Sequence, residues 1–163
     1  MPTILFVCTA NICRSPVAEA LFNRWLDQRG EGANWSVRSA GTWAEAGFPA
    51  SSLAAEAAAE QGLDLAWHRS QAVNTSLMAA ADLVLCMTRS QREALQAEFR
   101  KQAGRIHMLT ALAGPAYDVP DPYGGPRQGY IAMVEELTGL IEAGGERILQ
   151  LAGEGDDGAG ARE

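Results

Sequence analysis

The chain has 163 residues, 47% of them hydrophobic and 20% charged, which suits one ordinary globular domain and argues against a disordered, collagen-like or coiled-coil chain. Its net charge of −7 shows no basic nucleic-acid footprint, and no apolar run approaches the roughly 18 residues that cross a bilayer, so a cytoplasmic location is expected. Three cysteines are too few, and odd in number, for a disulfide scaffold; in a reducing compartment each is either buried or reactive.

Thr3–Val7 is a short unbroken apolar run, the pattern of a strand buried on both faces. From Pro16 to about Arg29, Val17, Leu21, Phe22, Trp25 and Leu26 share one helical face, and Gly30 and Gly32 stop the helix. Trp35–Ser39 reads as a second strand, and Ala50–Gln61 as an Ala- and Glu-rich helix closed by Gly62. A third strand over Asp82–Met87, a helix over Ser90–Arg100 and a fourth strand over Arg105–Leu109 follow. A loop rich in Pro and Gly then runs from Ala113 to Pro126, and a last helix spans Gln128–Leu151, weakened by Gly139, Gly144 and Gly145. The domain is expected over 1–152. Residues 153–163 carry four acids and one arginine in low-complexity sequence and are expected to form a disordered tail. The spacing Gly153-x-Gly155-x-x-Gly158 imitates a dinucleotide loop. It follows a helix and would set carboxylates beside pyrophosphate, so no nucleotide cofactor is assigned to it.

Alternating strands and helices of this length predict an α/β fold with a parallel sheet covered by helices. Ligands in such sheets bind beyond the carboxyl ends of the strands. There lies Cys8-Thr9-Ala10-Asn11-Ile12-Cys13-Arg14-Ser15-Pro16. Ser15 is the expected helix cap and Pro16 the first helical residue. A helix N-terminus offers unpaired N–H groups, and a loop curled above it makes an anion nest. Arg14 adds a fork that grips two phosphate oxygens at once. The field that attracts phosphate also favours a thiolate at Cys8, placing sulfur below a bound phosphorus for in-line attack. The ATP-type phosphate loop, with Gly-Lys-Ser/Thr, is absent.

Cys8 to Arg14 forms a C-x5-R signature, and together with Ser15-Pro16 and a later Asp121-Pro122-Tyr123 the chain resembles the low-molecular-weight protein tyrosine phosphatase family over about residues 3–150. The resemblance implies a four-stranded parallel sheet of order 2-1-3-4 with helices on both faces, a flavodoxin-like three-layer sandwich. It implies that Cys8 is the nucleophile and forms phosphocysteine, that Arg14 binds the equatorial oxygens, and that Asp121 protonates the leaving oxygen and later activates water. Thr9, Ala10, Asn11, Ile12, Cys13, Arg14 and Ser15 would cradle the phosphate, supported by Ser39 and by His68 as a structural hydrogen-bonder. Ala10 stands where the family usually has Gly; if that position needs positive φ, Ala costs on the order of 1 kcal/mol. Cys13, the family's second loop cysteine, is either a partner for a reversible disulfide with Cys8 or a packing residue.

Ile12, Trp43 and Tyr123 either form a slot for a flat phosphotyrosine ring or pack separately on the surface. Relatives that dephosphorylate arginine carry Thr where this chain has Ile12, which favours tyrosine and leaves phosphoarginine as the alternative substrate. An arsenate reductase would need two further cysteines, and only Cys86 lies downstream. A non-catalytic phosphate-binding module would need neither thiolate nor acid. The cysteines and His68 and His107 lack zinc-site spacing, so no metal or cofactor is expected. The expected partner is a phosphotyrosine-bearing protein, a bacterial tyrosine kinase among the candidates, with no nucleic acid and no membrane, and the protein acting as a monomer or as a weak dimer.

Overall fold

Apolar side chains on both faces of the first strand decide the architecture. A computed structural model describes residues 1–160 of the chain. In β1 (Thr3–Cys8), Ile4, Phe6 and Cys8 face one core cluster, while Leu5 and Val7 face another. β1 therefore lies inside the sheet, flanked in parallel by β2 (Ser36–Gly41) and β3 (Leu83–Cys86), with β4 (Ile106–Met108) outside β3. The order is β2-β1-β3-β4, the parallel sheet expected from the resemblance.

Helices α1 (Arg14–Gln28), α2 (Ser52–Glu60) and α6 (Arg127–Gly160) cover the face of Ile4 and Phe6. Helices α3 (Thr75–Ala80) and α4 (Arg89–Glu98) cover the face of Leu5 and Val7. A short α5 (Leu109–Ala113) follows β4. Phe6 and Phe22 meet edge to face at 5.8 Å, and both are fully buried. Each such side chain contributes about 1.5–3 kcal/mol through burial.

Two helices escape the sequence pattern. α3 and α5 have six and five residues, too short to display a 3.6-residue period. Asn74 starts α3 by accepting from the Leu77 N–H at 2.8 Å. Of the three glycines read as weak points of α6, Gly145 has a packing role, and Gly139 faces open space. A Cβ on Gly145 would lie 2.5 Å from the Trp25 ring, and one on Gly144 would meet Ala113 at 3.5 Å. The backbone of α6 continues through 153–160, beyond the Leu151 end expected from sequence. Ile148 and Ala152 are fully buried, so its packed face also passes that point. Of the tail expected to be disordered, 161–163 lie outside the described residues. Among the described residues, no helix is long and apolar enough to cross a membrane.

Candidate active site

The loop between β1 and α1 starts where Cys8 pairs with Gly41 at the carboxyl end of the sheet. Four of its carbonyls are held from outside. Cys8 O accepts from Thr42 N, Thr9 O from Trp43 N and Ile12 O from Ser51 N, each at 2.9 Å, and Asn11 O accepts from His68 Nε2 at 2.6 Å. In a trans peptide the next residue's N–H points opposite to the carbonyl. The N–H groups of Thr9, Ala10, Ile12 and Cys13 are therefore turned the other way, to the inside of the curl. None of the N–H groups from Ala10 to Arg14 donates to a protein acceptor among the described residues. Gly41 permits this close wrap, because a Cβ there would sit 2.4 Å from Thr9 O.

Asn11 is the keystone of the curl. It is the only non-glycine residue with positive φ, at 60°, among the described residues. Its buried amide donates to Ser15 Oγ at 2.7 Å and Ser39 Oγ at 3.0 Å, and its Oδ1 accepts from Gln71 N at 3.0 Å. Asparagine tolerates this conformation better than most residues. Ala10 is not at positive φ, so the strain expected from replacing Gly there does not arise. His68 is pulled below the ordinary imidazole value by burial, against the raising effect of its bond to Asn11 O. Neutral imidazole with its proton on Nε2 fits that carbonyl, which assigns the tautomer from the acceptor.

Ser15 does not cap α1. Cys13 occupies that position with no side-chain capping bond, and Ser15 and Pro16 already lie in the first helical turn. Pro costs nothing there because first-turn N–H groups have no partner within the helix. The Ser15 hydroxyl instead sits 2.9 Å from Cys8 Sγ, and its N–H donates to the same sulfur at 3.4 Å. Two polar contacts thus converge on the sulfur of Cys8, a residue that is 2% exposed.

Arg14 is buried. Its Nη1 donates to Val119 O at 2.9 Å, and its Nη2 reaches Thr9 Oγ1 and Asp121 Oδ2, each at 3.5 Å. Its Nε has no partner among the described residues. A buried guanidinium with an unfilled donor suits an anion with several oxygens. Asp121 is half-exposed, and its Oδ1 accepts from Tyr123 N at 3.1 Å across Pro122. Val119 N also donates to Met87 O at 3.0 Å, and Asp118 Oδ1 accepts from Arg89 N at 2.8 Å. The segment carrying Asp121 is thus tied to the end of β3 and the start of α4.

Cys8, Arg14 and Asp121 line one cavity of about 720 Å³. A family model described as low molecular weight phosphotyrosine protein phosphatase matches residues 3–150. The chain belongs to this family. A probable low molecular weight protein-tyrosine-phosphatase EpsP of Ralstonia solanacearum is 40% identical over 142 residues, 87% of this chain and 90% of that one. A protein-arginine-phosphatase of Bacillus subtilis is 39% identical over 139 residues, 85% and 91%. The crystal structure of a low molecular weight protein tyrosine phosphatase from T. tengcongensis matches with a TM-score of 0.85 at 39% identity, covering 90% of this chain and 99% of that one.

Against this family frame, the cavity brings Ile12, Trp43 and Tyr123 together, as the slot reading requires. It also brings in Phe48 and Glu45, which the sequence reading missed. An aromatic in Gly47-Phe48-Pro49, on an exposed loop, was the available sign. Ser70 holds this wall: its Oγ accepts from Phe48 N at 3.0 Å, and its N–H donates to Phe48 O at 2.7 Å. Burial pushes the Cys13 thiol up to about 11, against the lowering bond to Ser51, so Cys13 stays protonated at neutral pH. Burial drives Cys86 to about 12. No group of three or more His, Cys, Asp or Glu suitable for a metal ion occurs among the described residues.

Proposed function

We propose that the protein hydrolyses phosphotyrosine in proteins through a phosphocysteine intermediate. The observation that carries this reading is Cys8 Sγ, bonded by Ser15 at 2.9 Å, sharing a cavity with Arg14 and with a carboxylate 3.5 Å from that guanidinium. The phosphoryl group sits in the curl, its oxygens bound by the free N–H groups from Ala10 to Arg14 and by the Arg14 side chain. The Cys8 thiolate attacks phosphorus as the bond to the tyrosine oxygen breaks, and Asp121 gives that oxygen its proton. Asp121, now ionised, takes a proton from the water that attacks phosphocysteine, releasing phosphate and restoring the thiolate. Ser15 Oγ–H stabilises sulfur as it arrives and leaves.

Ile12, Trp43 and Tyr123 at the cavity support an aryl substrate, because a flat ring covers such apolar side chains better than a short serine side chain does. The similarity to a protein-arginine-phosphatase keeps phosphoarginine as the second reading. Arg14 and the inward N–H groups supply the positive field that the reaction needs, which supports a metal-independent enzyme. A tyrosine-phosphorylated protein, a bacterial tyrosine kinase among the candidates, is the proposed partner. Turnover of phosphotyrosine, phosphoserine and phosphoarginine peptides and of arsenate, measured side by side with a chelator present, tests the assignment. Phosphotyrosine should lead clearly. A lead for phosphoarginine would transfer the assignment to the second reading, and turnover of none would remove the catalytic reading.

A further inference from the structure

The hydrogen-bond geometry around Thr9 leaves one proton uncommitted. Thr9 Oγ1 lies 3.1 Å from Gln91 Nε2 and 3.5 Å from Arg14 Nη2. Both nitrogens are donors only, so they occupy the two lone pairs of the hydroxyl and leave its O–H to donate elsewhere. No acceptor for that proton occurs among the described residues. Thr9 lines the cavity that holds Cys8 and Arg14.

The orientation of Gln91 is determined by its other end. Its Oε1 accepts from Met87 N at 2.9 Å and from Thr88 N at 3.1 Å, which leaves the NH2 end for Thr9. Gln91 is buried, and its own N–H donates to Thr88 Oγ1, completing the capping box of α4. The side chain that starts α4 therefore reaches into the phosphate loop.

We infer that the Thr9 hydroxyl is a further phosphate-binding group, donating its proton to a non-bridging oxygen of the bound phosphoryl group, and that Gln91 is a positioning residue that keeps it turned that way. The inference rests on the phosphatase reading and adds a side-chain donor to the backbone nest. Inorganic phosphate serves as the probe, as a competitive inhibitor of p-nitrophenyl phosphate hydrolysis by the full chain. Thr9→Val should raise the phosphate inhibition constant about tenfold, the size of one hydrogen bond to a charged group. Thr9→Ser should restore it to within about twofold.

Gln91→Glu keeps both bonds to the Met87 and Thr88 amides but presents an acceptor to Thr9, drawing its proton away from the phosphate. It should weaken phosphate binding about as much as Thr9→Val, and by less than about twofold when Thr9 is already Val. A role for Gln91 in capping alone predicts no loss. An equal loss with and without the hydroxyl would mean that Gln91→Glu acts through charge, and would overturn the positioning role. If Thr9→Val leaves phosphate binding within about twofold, or slows only the turnover of poor leaving groups, the hydroxyl does not bind phosphate and the inference falls. In both cases the unaltered protein still binds phosphate and the phosphatase reading stands. If the unaltered protein is not inhibited by phosphate at all, both fall together.

Discussion

The floor of the cleft and its rim follow different rules. On the floor, the side chains of Cys8, Asn11, Arg14 and Ser15 are buried and held by bonds reaching from residues as distant in sequence as Val119. At the rim, Trp43 is 86% exposed and Tyr123 67%. Folding itself assembles the floor, since its loop carbonyls, Asn11 and Ser15 are bonded before any substrate arrives. Such preorganisation lets donors act on a transition state without reorganising. The rim costs folding little, so its residues are free to be chosen for the substrate. Asp121 stands between the two, tied to Arg14 at 3.5 Å and open to water.

The comparison breaks most sharply at the nucleophile. Cys8→Ser should lower turnover by on the order of 10⁴-fold or more while inorganic phosphate still binds, because the nest is untouched. Steady-state kinetics and phosphate titration read both quantities, and residual turnover near that of the unaltered protein would contradict the assignment. Asp121→Ala should slow hydrolysis of phosphotyrosine about 10²–10⁴-fold and cost far less with an aryl ester whose leaving group needs no proton. A loss independent of leaving group would take Asp121 out of the acid role.

Inside the floor, Asn11→Ala should cost stability as well as activity. It removes buried bonds to Ser15, Ser39 and Gln71 and puts Ala at a φ of 60°, so denaturant unfolding should show a loss of about 2–4 kcal/mol. Glu19, behind the floor on α1, offers a pH test. Burial raises it to about 7, against the lowering effects of its bond to Ser39 and of Arg38. The folded state holds this proton more tightly than the unfolded chain, so stability falls as pH rises from about 4.5 through about 7. Glu19→Gln should flatten that slope and gain about 1–3 kcal/mol at pH 8, measured by denaturation across the range. A slope unchanged by the substitution would remove Glu19 as its source. The rim should give the smallest effects. Trp43→Ala or Tyr123→Ala should raise KM for a phosphotyrosine peptide about three- to tenfold with kcat nearly constant and stability within about 0.5 kcal/mol.

The parts of the molecule legible in its sequence were those with a local signature. β1 shows as Thr3–Val7 because both faces are apolar, and the floor shows because Cys8, Arg14 and Ser15 fall within eight consecutive residues where a strand passes into a helix. Asp121 shows through its pairing with Pro122. Contacts across long separations left no such trace. Nothing near Gly41 announces that a side chain there would strike Thr9 O, and nothing near Gln91 announces that it reaches Thr9. Ser15 misled because a serine before a helical proline is a good cap by local rules, whereas Cys8 and Asn11 claim its hydroxyl. Gly145 misled in the same way: helix propensity counts against it, and packing on Trp25 requires it.

The central claim is that the sulfur of Cys8 carries the phosphoryl group between its two owners. Rapid quenching of the reaction with a phosphotyrosine peptide, followed by peptide mass spectrometry under conditions that preserve phosphothiol bonds, addresses it directly. A phosphoryl adduct on Cys8 should appear within the first turnover and decay as phosphate is released, with none on Cys13 or Cys86. Phosphate released at full rate with no adduct on Cys8 at any time, or with the adduct on another residue, would contradict the account.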